Sequence, residues 1–119
     1  MWPTASAESG KAAEQLAAQF LQQQGLVVVA RNVRSRCGEI DIIARDGDYW
    51  VFVEVKWRQR EDYGGAAAAL SAAQCQRIRR SASLYLQQQR LQESRTLCRF
   101  DVVLVTTNQQ QCTWLRNAF

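Results

Sequence analysis

The stretch GEIDIIARDGDYWVFVEVKW, residues 38–57, decides the fold of this chain. Its β-branched and aromatic residues are typical of strands, and the Asp-Gly-Asp at residues 46–48 is a tight-turn signal. The stretch therefore predicts a hairpin whose strands are EIDIIAR and YWVFVEVKW. Four of the charged residues in this stretch lie among its apolar residues away from the turn and need a physical explanation. They are Glu39, Asp41, Glu54 and Lys56.

The patterns on either side extend the hairpin to the order α-β-β-β-α-β. Residues Ser6 to Gln24 carry apolar side chains at helical spacing and stop at Gly25, and residues Ala66 to Gln89 predict a long Ala- and Gln-rich helix. LVVVARN and RFDVVLVT predict two further strands, and CTWLRNAF predicts a short edge strand. We therefore expect an α/β fold, a central mixed sheet flanked by helices, in a single domain over residues 1–119.

Composition excludes several classes of protein. A hydrophobic content of 47% is too high for a disordered chain. Apolar runs fall short of the roughly 18 residues that a membrane helix needs, and the first residues lack the pattern of a secretory signal. We therefore expect a cytoplasmic location. The chain has no histidine, which excludes Ser-His and Cys-His nucleophile systems and histidine bases.

The four cysteines are spaced too widely for a zinc site of paired CxxC ligands. We expect reduced, individually buried thiols, with neither a disulfide nor a zinc ion. The residues concerned are Cys37, Cys75, Cys98 and Cys112.

The chain carries a net charge of +4, and its basic residues are nearly all arginines. Arginine forks match phosphate geometry, although a solvated basic surface would give the same charge. Several arginines cluster around the acidic hairpin, which favours a polyanion that approaches the acids through a metal ion. The candidate nucleic-acid contacts are Arg34, Arg36, Arg58, Arg60 and Arg77.

Alternation along the strands brings the charged residues together. Glu54 and Lys56 are two residues apart and leave one face of their strand, together with Trp50 and Phe52. By the same rule, Glu39 and Asp41 share a face of the preceding strand. The turn at residues 46–48 then brings Asp41 close to Glu54.

Two adjacent carboxylates repel each other and are costly to bury without a positive partner. A hard divalent ion such as Mg²⁺ or Mn²⁺ binds carboxylate oxygens and water without histidine. A half-exposed strand would also alternate as EVKWR does. Against this alternative, Glu54 shares its face with bulky aromatics, and Asp41 lies between two isoleucines, where an acid suits strand packing poorly.

GEIDIIARDGD followed by VFVEVKWR resembles the PD-(D/E)xK nuclease superfamily, which has the restriction-endonuclease-like fold. The chain is most similar to the YraN-like uncharacterised bacterial proteins, a group that resembles Holliday junction resolvases. The resemblance covers nearly the whole chain, including SGKAAEQLAAQFL, the ARN before GEID, the YGGA after FVEVKWR, and RFDVV.

The resemblance implies roles for particular residues. Asp41 and Glu54 match the metal ligands of the superfamily, and Lys56 matches the residue that orients or deprotonates water and stabilises charge on the phosphate. Glu14 matches an acid that many members add from the first helix, although a surface salt bridge fits its position equally well. Gln74 stands where the family often carries lysine and other members use glutamine, and a local backbone bond is the alternative for it.

The resemblance also covers Arg99 and Asp101 of RFDVV, for which we hypothesise an internal ion pair that steadies the strand. It implies Mg²⁺ or Mn²⁺ as cofactor and nucleic acid, DNA rather than RNA, as partner. A homodimer would suit a resolvase, because paired cuts need two active sites.

Three functions follow as hypotheses. The first is a metal-dependent nuclease that hydrolyses phosphodiester bonds of DNA, including branched or single-stranded DNA. The second is a non-catalytic nucleic-acid-binding module, in which the acids are a structural cluster. The third is an assembly protein with its helices as docking surface, which exposed Trp2 and Trp114 would favour.

Overall fold

A computed structural model describes residues 2–58, 70–106 and 110–119, with side chains from Gly10 onward. The predicted order α-β-β-β-α-β is confirmed. The elements are α1 (Trp2–Gln23), β1 (Val27–Ser35), β2 (Gly38–Asp46), β3 (Tyr49–Arg58), α2 (Ala72–Gln88), a 3-10 turn (Glu93–Arg95), β4 (Cys98–Thr106) and β5 (Gln111–Leu115).

The five strands form one mixed sheet in the order β1-β2-β3-β4-β5. Neighbouring strands are antiparallel except for the central pair, in which β3 and β4 run parallel. The predicted hairpin is β2–β3, and Asp46 faces Tyr49 across its turn. Gly47 in that turn has a φ of 59°, which costs glycine little and most other residues more. The predicted edge strand is β5, beside β4.

Helices cover both faces of the sheet, as predicted for an α/β fold. The apolar stripe of α1 packs on the face that carries Val51, Val53 and Val55. Helix α2 packs on the opposite face, against Phe52 and, at the edge of that cluster, Trp50. The predicted division of the β3 side chains between the two faces is therefore confirmed.

The apolar spacing of α1 places its small and branched residues against the sheet. Ala13, Ala17 and Leu21 are buried, and Phe20 packs at the margin of the same cluster. Gly25, with a φ of 98°, follows the end of the helix as predicted. The helix begins at Trp2 and not at Ser6, so the predicted start is four residues too late.

Helix α2 begins later than the alanine-rich composition predicted. Its first helical residue is Ala72, and Ser71 before it is an N-cap whose side chain accepts a hydrogen bond of 3.0 Å from the backbone N–H of Gln74. The predicted start at Ala66 is wrong, because Leu70 and Ser71 precede the helix. The side chain of Ser71 caps the first turn, and the helix therefore begins after this residue. Residues 59–69 lie outside the described residues.

The four thiols are free and half-buried, so the expectation of buried cysteines is wrong. Burial raises the pKa of Cys98, with a smaller contribution from Glu93, and burial also raises the pKa of Cys112. A raised pKa lowers the thiolate fraction at neutral pH, and these two thiols are therefore poor nucleophiles.

Asp101 is fully buried and fully hydrogen-bonded. Its carboxylate accepts bonds from the Arg99 guanidinium at 3.0 Å, from the Trp114 indole N–H at 2.9 Å and from the backbone N–H of Asn117 at 2.9 Å. Arg99 also contacts Asp46 at 3.0 Å. The hypothesised internal ion pair is present, and it joins β4 to the β2–β3 turn and to the segment after β5.

The same contacts correct the expectation for Trp114. Its side chain is half-buried and packs edge-on against Phe20 of α1, with the ring centroids 6.2 Å apart. It is therefore a packing residue and not an exposed docking residue. The side chain of Trp2 lies outside the described part of the molecule. Neither helix of the described chain combines the length and apolar character needed to cross a bilayer.

We expect Asp101→Asn to lower the free energy of unfolding by about 3 kcal/mol, because it leaves the Arg99 charge without its buried partner. Urea denaturation at pH 7 measures the change. Asp48→Asn, at an exposed turn position, is the matched control and should shift stability by less than about 0.5 kcal/mol. Equal effects of the two substitutions would contradict a structural role for the Arg99–Asp101 pair.

Candidate active site

The hydrogen-bonded pairing between β2 and β3 ends next to Asp41. β2 and β3 are paired from their turn as far as Ile42 opposite Val53, whereas β3 stays paired with β4 to its end. Asp41 lies just beyond the last β2–β3 pair. Its carboxylate replaces the strand partner there, because Oδ2 accepts a hydrogen bond of 2.8 Å from the backbone N–H of Val55.

The side chains of β2 lose their regular alternation at the same residue. Ile42 packs on the α1 face of the sheet, whereas Ile40 and Ile43 both pack on the α2 face. Strict alternation would have placed residues 40 and 42 on one face. The regular alternation is therefore interrupted between residues 40 and 42, and the shared face of Glu39 and Asp41 stays a prediction.

Asp41 and Glu54 come together as the turn register predicted. Burial raises the pKa of the Asp41 carboxyl from 3.8 to about 7, and the Glu54 charge adds to this effect. The hydrogen bond from Val55 opposes the rise. A hydrogen bond between the two carboxyl groups further raises the pKa of Asp41 and lowers that of Glu54.

Glu54 lies between an attractive and several repulsive charges. Its side chain is only 18% exposed, and burial raises the pKa of its carboxyl while Lys56 lowers it. The Lys56 Nζ is 3.8 Å from Glu54 Oε2. The predicted same-face placement of Glu54 and Lys56 is therefore present, and the ammonium partly offsets the repulsion between the acids.

Glu14 projects from α1 toward the acid pair. Burial raises the pKa of its carboxyl, and the charge of Asp41 is the second cause. Glu14 also lies 4.0 Å from the Arg31 guanidinium of β1. Glu14 therefore has features of both alternatives considered for it. It lies near Asp41, as an additional acid of the site would, and it has a basic partner in Arg31, as a salt bridge requires.

Glu39 stays at the rim of the site. Its side chain is 37% exposed and lies 3.4 Å from the Nε of Arg34. Its charge nevertheless raises the pKa of Asp41, Glu54 and Glu14 as a smaller cause. Glu39 therefore adds negative potential from the rim of the acid pair.

Gln74 has the local backbone bond that was the alternative for it. Its side-chain oxygen accepts a hydrogen bond of 2.9 Å from the Ser71 N–H and completes a capping box at the start of α2. Gln74 also lines a cleft of about 90 Å³ together with Glu54, Glu39 and Arg77. Gln74 thus caps α2 and at the same time lies beside the acid pair.

The predicted arginines surround this cleft unequally. Arg77 of α2 lines it directly. Arg34 is 84% exposed on the edge strand β1, and Arg36 is exposed in the β1–β2 turn. Arg58 is half-buried at the end of β3. Arg60 lies outside the described residues.

The residues present fit a hard divalent ion with a shell completed by water. Asp41 and Glu54 offer carboxylate oxygens, the donors that Mg²⁺ and Mn²⁺ prefer. Burial raises the pKa of both carboxyl groups, and neighbouring carboxylates add to the rise; a bound cation would favour their charged forms. Within residues 10–58, 70–106 and 110–119, no three His, Cys, Asp or Glu side chains form a ligand cluster, so the protein would supply two carboxylates.

Asn32 is a residue that the sequence patterns did not single out. It lies on β1 at the level of Asp41, its backbone is left-handed with a φ of 53°, and its side chain contacts Glu14. The β1–β2 pairing passes from Arg31 opposite Ile42 to Val33 opposite Ile40 and skips Asn32 and Asp41. Asparagine tolerates a positive φ better than most residues, which is the one sequence signal that it offered.

A mixed five-stranded sheet between two helices, with an acid pair at the opening of its central hairpin, is the architecture of a restriction-endonuclease-like core. The family described as uncharacterised protein family UPF0102 matches residues 13–105. The chain belongs to this family, and the resemblance to YraN-like proteins is confirmed.

Individual relatives match along almost their whole length. A UPF0102 protein of Shewanella halifaxensis is 52% identical over 110 residues, 92% of this chain and 93% of the relative. A UPF0102 protein of Colwellia psychrerythraea is 47% identical over 118 residues, 98% of this chain and 92% of the relative. A UPF0102 protein of Yersinia pseudotuberculosis is 47% identical over 112 residues, 94% of each chain.

We expect Asp41→Asn to stabilise the protein at pH 8 in EDTA by about 2 kcal/mol, because the folded protein must ionise a buried carboxyl at this pH and the asparagine variant does not. The folded pKa of about 7 exceeds the unfolded value of 3.8. The wild type therefore loses stability as pH rises from about 4 to about 7. The asparagine lacks this loss and can still accept the Val55 hydrogen bond.

Urea denaturation of wild type and Asp41→Asn at pH 4 and pH 8 measures the difference. The advantage of the variant should disappear at pH 4, where the carboxyl is protonated in the folded protein. Asp48→Asn should show no such dependence on pH. A variant that is equally destabilised at both pH values would contradict a strained acid at position 41.

Proposed function

We propose that the protein is a metal-dependent nuclease that hydrolyses phosphodiester bonds of DNA. The observation that carries the proposal is the Asp41–Glu54 pair, held at the opening of the β2–β3 ladder with the Lys56 ammonium 3.8 Å from Glu54. Two carboxylates and a lysine at one point form the charge pattern expected of a site for water, a cation and a phosphate. Membership of UPF0102 leaves the activity open, since that family is described as uncharacterised.

Asp41 and Glu54 would hold Mg²⁺ or Mn²⁺. When bound, the ion supplies positive charge at the scissile phosphate and lowers the pKa of a coordinated water. The Val55 N–H orients one oxygen of Asp41. This bond leaves the other oxygen of that carboxylate available to the ion.

Lys56 would serve the reacting groups directly. Its ammonium is fixed beside Glu54 on a strand that is paired with β4 through the whole site. From there it can orient the attacking water and stabilise the charge that develops on the phosphate oxygens. Gln74, whose side-chain oxygen is engaged in capping α2, has its amide nitrogen available to the same cleft.

The arginines favour a nucleic-acid substrate. Arg77 lines the cleft beside Glu54, and Arg34 and Arg36 are exposed on the neighbouring edge of the sheet. Guanidinium groups at the border of an acidic site can hold the phosphates on either side of the reacting one. The acidic centre then repels the backbone unless a cation is bound, which would couple cleavage to metal.

A non-catalytic nucleic-acid-binding module is the second candidate. The observation that favours it is the partial neutralisation of the acids by the protein itself, since Glu54 faces Lys56, Glu39 faces Arg34 and Glu14 faces Arg31. On this hypothesis the acids are a structural cluster, and their removal leaves the affinity for nucleic acid unchanged or increases it.

We expect Glu54→Gln to reduce cleavage by about 10²–10³-fold, as does the loss of one preorganised group from a catalytic site. The assay incubates purified protein with labelled single strand, duplex, flap and four-way junction in Mg²⁺, Mn²⁺ or EDTA. Gel-shift binding is measured on the same samples. Asp48→Asn removes the same charge at an exposed turn and should cleave as the wild type does.

The outcomes separate the two candidates. Metal-dependent cleavage that Glu54→Gln abolishes supports the nuclease, and the preferred substrate identifies its class. Binding by both proteins without cleavage of any substrate favours the module. Cleavage by Glu54→Gln at the wild-type rate would show that this site is not the catalytic one.

We expect Arg77→Ala to weaken nucleic-acid binding and to lower the log-log slope of affinity against salt by about 1, because one phosphate contact is lost. Arg95→Ala removes the same charge from an exposed position in the 3-10 turn beyond the other end of α2. Fluorescence anisotropy at several salt concentrations compares both variants with wild type. Identical slopes for the two variants would place Arg77 outside the binding surface.

A further inference from the structure

The β1–β2 turn is packed against helix α2 at the border of the candidate site. Ser35 and Gly38 face each other as the last pair of β1 and β2, and Arg36 lies in the two-residue turn between them. Gly38 approaches α2 so closely that a Cβ atom at this position would lie 3.7 Å from the Ser81 Oγ and 4.0 Å from the Arg77 Cβ. The turn and this part of α2 therefore form one continuous surface.

Two serine hydroxyls fasten the turn to the helix. The Ser35 Oγ accepts a hydrogen bond of 3.1 Å from the backbone N–H of Cys37, and it lies 3.3 Å from the carbonyl oxygen of Gly38. The same oxygen is 3.4 Å from the Oγ of Ser81 on α2. Ser81 is only 4% exposed, so its hydroxyl is shielded from water and relies on partners within the protein. Ser35 is therefore the point at which the backbone of the turn and α2 are joined.

The two elements joined in this way each carry an arginine without an acidic partner. Arg36 is exposed in the turn, and Arg77 is exposed on α2, where it also lines the cleft beside Glu54. Neither forms an ion pair with an acid that the structure describes, whereas the nearby Arg34 is paired with Glu39. A guanidinium that no carboxylate neutralises within the protein keeps its charge for an anion from solution.

We propose that Ser35 and Ser81 are positioning residues, which hold the β1–β2 turn on α2 so that Arg36 and Arg77 together bind the phosphate backbone of a nucleic acid. The proposal rests on the nucleic-acid substrate proposed above, and it specifies the side of the cleft on which the backbone lies. A ligand is bound more tightly when its partners are held in place before it arrives, because less conformational entropy is then lost. The serine contact supplies this restraint for an arginine on an exposed turn.

Ser81→Ala is the decisive variant, because it removes the contact between the two elements and leaves the hydrogen bonds within the turn intact. Ser83→Ala is the matched control on the same helix. Ser83 donates a hydrogen bond of 2.9 Å to Glu93, in the 3-10 turn beyond α2. Alanine is a good helix former, so both variants are expected to fold.

We expect Ser81→Ala to lower the log-log slope of nucleic-acid affinity against salt by about 1, because one phosphate contact is lost. Fluorescence anisotropy with labelled single strand and duplex in EDTA measures the affinity. Arg36→Ala should give the same loss, and the double variant should fall no further, because Ser81 acts through Arg36. Ser83→Ala should keep the wild-type slope. A wild-type slope in Ser81→Ala, additive losses in the double variant, or a wild type that binds neither probe overturns the proposal.

A measurement without nucleic acid tests the serine contact itself. Hydrogen exchange of the Cys37 amide, whose bond the Ser35 hydroxyl accepts, should be faster in Ser81→Ala and Ser35→Ala than in wild type or Ser83→Ala. Unchanged exchange in Ser81→Ala overturns the positioning role. The proposed nuclease can fail separately, since binding that depends on Ser81 without cleavage of any substrate contradicts the nuclease and supports the positioning of Arg36.

Discussion

The hydrogen bond from the Val55 N–H to the Asp41 carboxylate is the interaction on which the candidate site depends. Where two strands separate in the middle of a sheet, a buried backbone N–H without a partner would be an unsatisfied hydrogen-bond donor. Here a side chain accepts it, so β2 can leave β3 without that cost. The strand separation provides room beside Glu54, and the same bond orients the acid that faces it. This one hydrogen bond therefore stabilises the strand separation and also orients a candidate metal ligand.

The charges near this hydrogen bond are mainly negative, whereas arginines lie further from it. The two innermost acids are close together, and burial with the charge of Glu54 raises the pKa of Asp41 to about 7. Glu14 and Glu39 lie further out, and each has an arginine partner. Lys56 gives the centre a single positive charge. An acidic centre with a basic border is a charge distribution that could bind a cation at the centre and a polyanion around it.

The features that could be predicted from the sequence are those that follow from the regular alternation of side chains along a strand. The strands EIDIIAR and YWVFVEVKW, their turn and the division of Phe52 and Val53 between opposite faces all follow from alternation, and the proximity of Asp41 to Glu54 follows from the turn register. The period of two fails where the pleat is interrupted, so the face on which Ile40 packs and the left-handed backbone of Asn32 could not be predicted from it. The dual position of Gln74 was also beyond it, since a capping box depends on the serine at which the helix starts. Asp101 was recognised as part of an ion pair, but its partners Trp114 and Asn117 are distant in sequence and no local pattern connects them.

The central parallel pair has a consequence for how the chain folds. β1, β2 and β3 form a meander of neighbouring antiparallel strands, whereas β4 reaches β3 only after the chain has passed through α2. Contacts between distant segments require costly loop closure, so we expect the meander to form before β4 docks. Asp41 and Glu54 both belong to the meander, and their repulsion is then present in the folding transition state.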